Sequence, residues 1–104
     1  MQYTYEQLST LSPREYLQAV WQEDGTKVLE AIDSVTLTPM TMKDFLDHCT
    51  TYGGNWGAML LSGIKKLYPT VWDAIPDDMG AFSWEAICTL CIVLQITTKE
   101  GGAI

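Results

Sequence analysis

A chain of 104 residues, 47% of them hydrophobic, is long enough for one domain with its own core and too apolar to be disordered. Its net charge of −7 repels the phosphates of nucleic acids and anionic membrane surfaces, so direct binding to either is disfavoured. The same charge attracts a basic protein surface, which is therefore the kind of partner we expect.

Cysteine usage and the apolar runs indicate where such a chain works. Cys49, Cys88 and Cys91 are an odd number of thiols in a short chain. The first ten residues are polar and lack the basic start of a signal peptide, and the longest apolar run, Ile87 to Leu94, is too short to span a bilayer. We therefore expect a cytoplasmic protein with reduced thiols.

Helix-start signals recur along the first part of the chain. Thr4 to Gln7 predicts a short first helix, and Ser12 to Glu15 predicts a second through a capping box with a proline at its first helical position. Gly25 is expected to end that second helix. Residues 26–35 keep the helical spacing of apolar residues, while the β-branched residues at 35–38 leave a short extended segment open.

Two helices are predicted around the middle of the chain. Thr41 opens one over residues 42–52, and Asn55 is a suitable N-cap for another over 55–67. Gly57 and Gly63 lie inside the latter, where glycine costs about 1 kcal/mol relative to alanine. Glycines at such positions indicate the close approach of another backbone or of a large ring.

The last third of the chain contains the most apolar segment. Thr70 to Asp73 predicts one further helical turn, and Ser83 caps a helix over residues 84–96 that is apolar nearly all round. Such a helix is expected at the buried centre of a small bundle. Its β-branched residues leave a strand near 92–98 open, and residues 98–104 are expected to be loose.

These elements predict a mostly α fold. We expect one compact domain over residues 1–104, with five to seven short helices around the buried C-terminal helix. A minor alternative is an α+β fold with short strands near 35–38 and 92–98. No repeat, low-complexity segment or linker divides the chain.

A Cys-x-x-Cys motif, Cys88 to Cys91, raises the question of metal or redox chemistry. Redox pairs of this type lie at a helix N-terminus, whereas this pair lies a turn inside an apolar helix. A zinc site would need two more ligands, and the candidates, His48 and Cys49, point about 100° apart on a helix. Core packing is the simpler interpretation and no cofactor is expected, but a small zinc- or thiol-dependent protein stays an alternative.

A helix-turn-helix regulator is a further alternative. The helices predicted over 42–52 and 55–67, with a glycine turn between them, match the outline of that motif. A recognition helix should present polar and basic residues, however. This one begins with Trp56 and carries Lys65 and Lys66 only near its end.

The four tryptophans and two of the tyrosines divide into predicted core residues and predicted anchors. Trp21, Trp56 and Trp84 occupy core-like positions within helices. Trp72, Tyr5 and Tyr52 are candidates for exposed anchors, since aromatic residues are enriched at interfaces.

We therefore expect a non-enzymatic, acidic interaction protein that docks on a basic surface of its partner. One concrete version is a phage or mobile-element inhibitor, such as an anti-CRISPR protein, that occupies the nucleic-acid channel of a nuclease. The candidate contact residues combine one tryptophan with exposed acids: Glu30, Asp33, Asp44, Asp47, Trp72, Asp73, Asp77 and Asp78.

Overall fold

The computed structural model describes residues 10–51, 53–77 and 82–97, and their architecture is mostly helical. The predicted helix at Thr4 and the predicted loose tail over 98–104 lie outside these residues. The mostly α prediction is confirmed. The elements in chain order are α1 (Pro13–Trp21), α2 (Glu23–Asp33), β1 (Met40–Thr41), α3 (Met42–Leu46), α4 (Trp56–Leu67), α5 (Pro69–Ala74), α6 (Trp84–Val93) and β2 (Ile96–Thr97).

The beginning of α1 follows the predicted capping box, but its end does not follow the prediction. The Ser12 Oγ accepts the backbone N–H of Glu15, and the Glu15 carboxylate accepts that of Ser12. The helix ends at Trp21, because Gln22 adopts a φ of 54° and turns the chain directly into α2. Gly25 is therefore not a helix stop.

Gly25 instead lies buried inside α2, where the two helices cross closely. A Cβ at this position would collide with the backbone carbonyl of Leu17 on α1. The glycine is needed because no side chain fits between the two backbones. The prediction that Gly25 ends a helix was wrong because a glycine at a helix end and a glycine at a helix crossing have the same local sequence pattern.

The helix predicted over 42–52 is much shorter in the structure. It begins at the Thr41 cap, whose Oγ1 accepts the N–H of Asp44 at 3.2 Å, and ends at Leu46. The backbone N–H of Thr50 donates to the Ser62 hydroxyl at 2.8 Å, so the chain runs alongside α4 at this point. A five-residue helix and a nine-residue connection do not form a helix-turn-helix unit, and this alternative is not supported.

The two glycines of α4 allow different neighbouring side chains to approach the helix closely. A Cβ on Gly63 would lie 2.6 Å from the ring of Phe45 and 2.6 Å from the sulfur of Cys49, so the predicted approach of a large ring is confirmed. A Cβ on Gly57 would lie 3.3 Å from the Ile87 Cδ1, an aliphatic side chain rather than a ring or a backbone. Gly63 thus places α3 against α4, and Gly57 lets α6 approach.

Helix α6 buries one face in the core, as predicted for the C-terminal helix. Its buried side chains Ile87, Leu90 and Cys91 belong to the same hydrophobic cluster as Leu17 and Phe45. The helix contacts α1, α4 and β2. The core contains no buried charged residue within the described part of the chain.

A small parallel sheet joins the end of the chain to its middle. Gln95 turns the chain with a φ of 65°, and β2 pairs with β1 so that Ile96 lies opposite Met40. The strand alternative near 92–98 thus includes a strand, but the one near 35–38 was misplaced. Its Thr38 N–H donates to the hydroxyl of Tyr68 at 3.1 Å, so that segment is held by a side chain.

All the helices of the described residues are short. The longest in the described residues, α4, has 12 residues, and none of these helices has the length and apolar character needed to cross a bilayer.

Candidate docking surface

Two tryptophans predicted for the core are the most exposed large apolar side chains in the described residues. Trp56 is 56% exposed and Trp84 is 52% exposed, so the core prediction was wrong for both. The third, Trp21, is 7% exposed and is confirmed as a core residue, although its indole N–H has no hydrogen-bond partner among the described residues.

Both exposed tryptophans are the first residue of a helix, directly after its N-cap. The Asn55 Oδ1 accepts the N–H of Ala58 at 3.1 Å before α4, and the Ser83 Oγ accepts the N–H of Ala86 at 3.3 Å before α6. A side chain at this position leans towards the N-terminal end of its helix and away from the packed middle. The caps identify both tryptophans in the sequence as the first residues of helices, but they do not show whether another element covers them.

Between these two tryptophans lies an open groove of about 700 Å³, which we call the tryptophan groove. Its floor and walls come from α3, α4, α6 and the glycine turn, and the described residues that line it include no charged side chain. The one polar side chain among them, Asn55, already accepts a hydrogen bond as the cap of α4. The lining residues are Met42, Gly54, Asn55, Trp56, Gly57, Leu60 and Trp84.

Trp56 also borders a second, smaller cavity of about 100 Å³ on the side of Thr51 and Met59. The indole therefore stands between two hollows and not in a packed interface. The turn that leads to it contains Gly53 and Gly54 at φ values of 52° and 87°, a left-handed conformation that glycine adopts without strain. Gly54 borders both hollows.

Three exposed charged residues lie close in sequence to the lining of the tryptophan groove. Lys43 and Asp44 follow Met42, and Glu85 follows Trp84; all three are exposed. The Tyr16 hydroxyl donates to the Glu85 carboxylate at 3.3 Å and so joins α1 to the start of α6. Partial burial, and secondarily the charge of Glu85, raise the pKa of Tyr16 above its usual value.

The predicted anchor Trp72 lies on α5 in a different kind of surface. Its ring stacks on Phe82 at a centroid distance of 6.4 Å and an interplanar angle of 17°, and the Lys65 ammonium lies 5.7 Å from the ring centroid. The ring is half-buried. We call the open depression beside this stack the Trp72 trough; it has a volume of about 650 Å³ and is lined by Thr50, Ala58, Leu61, Ser62, Lys65, Lys66, Trp72 and Phe82.

The structure brings two of the predicted acids close to Trp72. Asp73 and Asp77 line a hollow of about 300 Å³ together with Trp72, Ile75 and Phe82. Both carboxylates are exposed. The third predicted acid of this edge, Asp78, and the predicted anchors Tyr5 and Tyr52 lie outside the described residues.

The remaining predicted acids lie on α2 and around α3. Glu30, Asp44 and Asp47 are exposed and form no ion pair within the described residues. Asp33 is the exception, because its carboxylate accepts two hydrogen bonds from the Arg14 guanidinium at 2.8 and 3.2 Å. All the described acids are exposed, and Asp33 is the one that an ion pair neutralises: Glu15, Glu23, Asp24, Glu30, Asp33, Asp44, Asp47, Asp73, Asp77 and Glu85.

The thiols show no sign of activation. Burial raises the pKa of Cys91 to about 12, and the nearby thiols Cys88 and Cys49 add to this effect. Burial also raises the pKa of Cys49 and of Cys88, which are half-buried. The reactive form of cysteine is the thiolate, so this arrangement disfavours thiol chemistry at neutral pH.

The geometry does not assemble a metal site from the candidate ligands. Across residues 10–51, 53–77 and 82–97, no three His, Cys, Asp or Glu side chains are placed to hold one ion. The sulfur of Cys49 instead donates to the Phe45 carbonyl at 3.4 Å. The zinc- or thiol-dependent alternative therefore finds no support in the described residues.

Comparison of the chain with protein-family models, with curated proteins and with solved structures gives no significant match. The function is therefore argued from the surface itself. Its two outstanding properties are the unpaired carboxylates and the exposed tryptophans of an uncharged groove.

Proposed function

We propose that this chain acts by binding and not by catalysis, as an acidic module that docks on a basic surface of another protein in the cytoplasm. The observation that carries this proposal is the state of its carboxylates. Of the ten acids in the described residues, all exposed, Asp33 alone forms an ion pair. Of the others, Glu15 and Glu85 each accept a hydrogen bond within the chain but form no ion pair with a described residue, and the rest are available to a partner.

Unpaired surface carboxylates lie on several elements of this domain. The radius of gyration, 13.1 Å, exceeds the screening length of about 8–10 Å at physiological salt, so each carboxylate acts mainly near its own part of the surface. The net charge of −7 therefore produces a negative field around much of the molecule. Such a field accelerates the encounter with a basic partner and opposes encounters with acidic ones.

The most concrete version of this function is an inhibitor of a nucleic-acid-binding protein. A surface that holds DNA or RNA is lined with Lys and Arg, and exposed carboxylates can take the places that phosphates occupy. We propose that the chain is a phage or mobile-element inhibitor, of the anti-CRISPR kind, that occupies the nucleic-acid channel of a nuclease. The candidate contacts are the edge formed by Trp72, Asp73 and Asp77 and the acids on α2 and α3.

The experiment is affinity capture from a native lysate with the purified chain as bait, at about 50 and about 150 mM salt, followed by titration of the captured protein in purified form. We expect a basic partner whose affinity falls as salt rises. Neutralisation of Glu30, Asp47, Asp73 and Asp77 to their amides should weaken binding about tenfold or more.

The matched control removes positive charges instead. Lys27→Gln and Lys43→Gln change exposed side chains on the same helices, α2 and α3, and make the chain more acidic, so affinity should stay the same or rise. An acidic partner, or an affinity that does not change with salt or with the amide substitutions, would contradict the proposal.

A competition experiment tests the inhibitor version separately. If the captured protein binds DNA or RNA, its nucleic acid should displace the chain, and the chain should inhibit its cleavage activity. Simultaneous binding of the chain and the nucleic acid would exclude occupation of the channel, while docking on a basic surface elsewhere would stand.

A further inference from the structure

We propose that the tryptophan groove is the apolar contact site of the docking surface and that it binds a basic amphipathic segment of the partner. Such a segment presents apolar side chains to the groove and Lys or Arg side chains to its rim. This inference rests on the proposed function and deepens it, because it names the site and the chemistry of the segment that binds there.

The first step is the apolar character of the groove. Its volume of about 700 Å³ lies within the range of protein ligand sites, about 300–1,000 Å³, and provides room for several apolar side chains. Met42, Leu60 and the two indoles supply apolar contact area. None of its described lining residues is charged, so an apolar group that contacts them removes no charge from water.

The second step is the lack of a partner for both tryptophans. Trp56 and Trp84 are each more than half exposed, and within the described residues neither stacks on a ring nor lies under a cation. Exposed tryptophans in an apolar depression are the side chains that carry most binding energy when a partner covers them. Their position at two helix N-termini also gives them a rigid support.

The third step is the charge around the groove. Two exposed acids, Asp44 and Glu85, and one base, Lys43, lie within two residues of its lining in sequence. Lys65 and Lys66 lie at the other end of α4, and the whole chain carries −7. A segment must cross this negative field to reach the indoles. Charge complementarity therefore selects a basic segment and disfavours a second copy of this chain, which carries the same negative charge.

These steps match a known mode of peptide recognition. An amphipathic helix places apolar residues at spacings of three and four into a groove, while its charged face stays in water. The probe is therefore a synthetic amphipathic peptide of leucine and lysine. Two controls of equal length separate the contributions: a leucine and glutamate peptide keeps the apolar face, and a serine and lysine peptide keeps the charge.

The first readout is an NMR titration of the labelled chain with each peptide. The chain has four tryptophans, so it has four indole N–H signals, which single Trp→Phe variants assign. With the leucine and lysine peptide we expect the signals of Trp56 and Trp84 to shift. The signal of the buried Trp21 should stay in place.

The second readout is the affinity of the same peptide for variants, by calorimetry. Trp56→Ala and Trp84→Ala together should weaken binding about tenfold or more, because both exposed rings are lost from the contact. Leu67→Ala is the control: it removes a half-buried apolar side chain at the other end of α4 that lines neither tryptophan-bearing surface, and it should leave the affinity unchanged. Circular dichroism verifies that each variant is folded before its affinity is compared.

The outcomes separate this inference from the proposed function. If the lysine peptides bind independently of Trp56 and Trp84, the groove is not the binding site and this inference is wrong. The proposed docking on basic surfaces would still stand. If the leucine and glutamate peptide binds as tightly as the leucine and lysine peptide, the inference that the segment is basic is wrong. Concentration-dependent dimers that the double variant abolishes would also overturn the proposal, since a second copy would then occupy the groove.

Discussion

The two tryptophan-bearing surfaces of this protein lie on different faces of α4 and differ in how their aromatic rings are covered. In the tryptophan groove, Trp56 and Trp84 are exposed and have no ring or cation as a partner within the described residues. In the Trp72 trough, which extends along α4 from Ala58 to Lys66, Phe82 and Lys65 cover a half-buried Trp72.

The difference shows which surface already has its contacts within the chain. Stacking and the nearby cation stabilise the Trp72 ring in the folded chain alone, by about 0.5–1.5 kcal/mol each. The exposed indoles of the groove gain much less from folding, because they stay in contact with water. Their contact area is therefore available for binding, which is why we assign the apolar contact site to the groove.

Residues 82 and 84 illustrate how closely the two surfaces are connected. Phe82 belongs to the Trp72 trough and Trp84 to the tryptophan groove, and the cap residue Ser83 lies between them in sequence. A change that displaces the start of α6 therefore affects both surfaces. Variants that act on one surface alone are the way to test whether the two are independent.

The largest expected effect is that of Phe45→Ala. Phe45 is fully buried and holds α3, which carries the Met42 wall of the groove, against α4. Removing the ring should lower the free energy of unfolding by about 3–5 kcal/mol. The comparison is Phe82→Ala in the trough, which removes a half-buried ring and should cost about 1–2 kcal/mol. Urea unfolding measures both, and equal costs would contradict the distinction.

An intermediate effect is expected from the two glycines of α4. In Gly63→Ala the new methyl group meets the buried Phe45 ring, so we expect a loss of about 1–3 kcal/mol from overpacking. In the matched variant Gly57→Ala the nearest atom is a side-chain methyl at 3.3 Å, and the gain in helix propensity offsets the contact. Its free energy of unfolding should change by less than about 1 kcal/mol.

These glycine variants also sharpen the comparison between the surfaces. Gly63→Ala should disturb peptide binding in the groove through the displacement of α3, whereas the Trp72 indole signal should move little. If Gly57→Ala proves to be the more destabilising of the two, the packing of α3 on α4 is not what the structure shows.

The smallest expected effect concerns Cys91, on the buried face of α6 that supports Trp84. Its thiol has a pKa of about 12 in the folded chain and an ordinary value of 9.0 when unfolded. Because the folded pKa is the higher one, the stabilisation is complete below pH 9 and is lost as the pH rises towards 12. We expect a loss of about 1 kcal/mol between pH 9 and pH 10.

Cys91→Ala removes this titration, so its unfolding free energy should fall less steeply over the same pH range. Alkylation by iodoacetamide at pH 8 gives a second measurement, in which Cys91 should react more slowly than the half-buried Cys49 and Cys88. A fast-reacting Cys91 would mean that the core-facing side of α6 is accessible to solvent.

Local signals explain how far the sequence could be interpreted alone. Ser12, Thr41, Asn55 and Ser83 each accept the backbone N–H that a cap residue accepts, and each begins the helix predicted for it. Capping involves residues within one turn, so it depends little on the rest of the fold. The mostly α architecture, with a helix buried near the C-terminus, follows from such signals and from apolar spacing.

The misplaced features all involve contacts between residues distant in sequence. Gly25 has the local signature of a helix stop, yet it is a close crossing with Leu17. The partner of β2 lies at Met40–Thr41, a pairing across more than fifty residues that no local pattern specifies. Hydrophobic spacing indicates that a face is apolar but not whether another element covers it.

Trp56 and Trp84 show the limit most clearly. The sequence by itself determined that both follow an N-cap and begin an apolar helix. Only the tertiary structure decided that no other element of the described chain covers them and that α3, α4 and α6 meet around an uncharged groove. The physical reason is that burial depends on which distant segments pack over a position, and this depends on the arrangement of the whole chain.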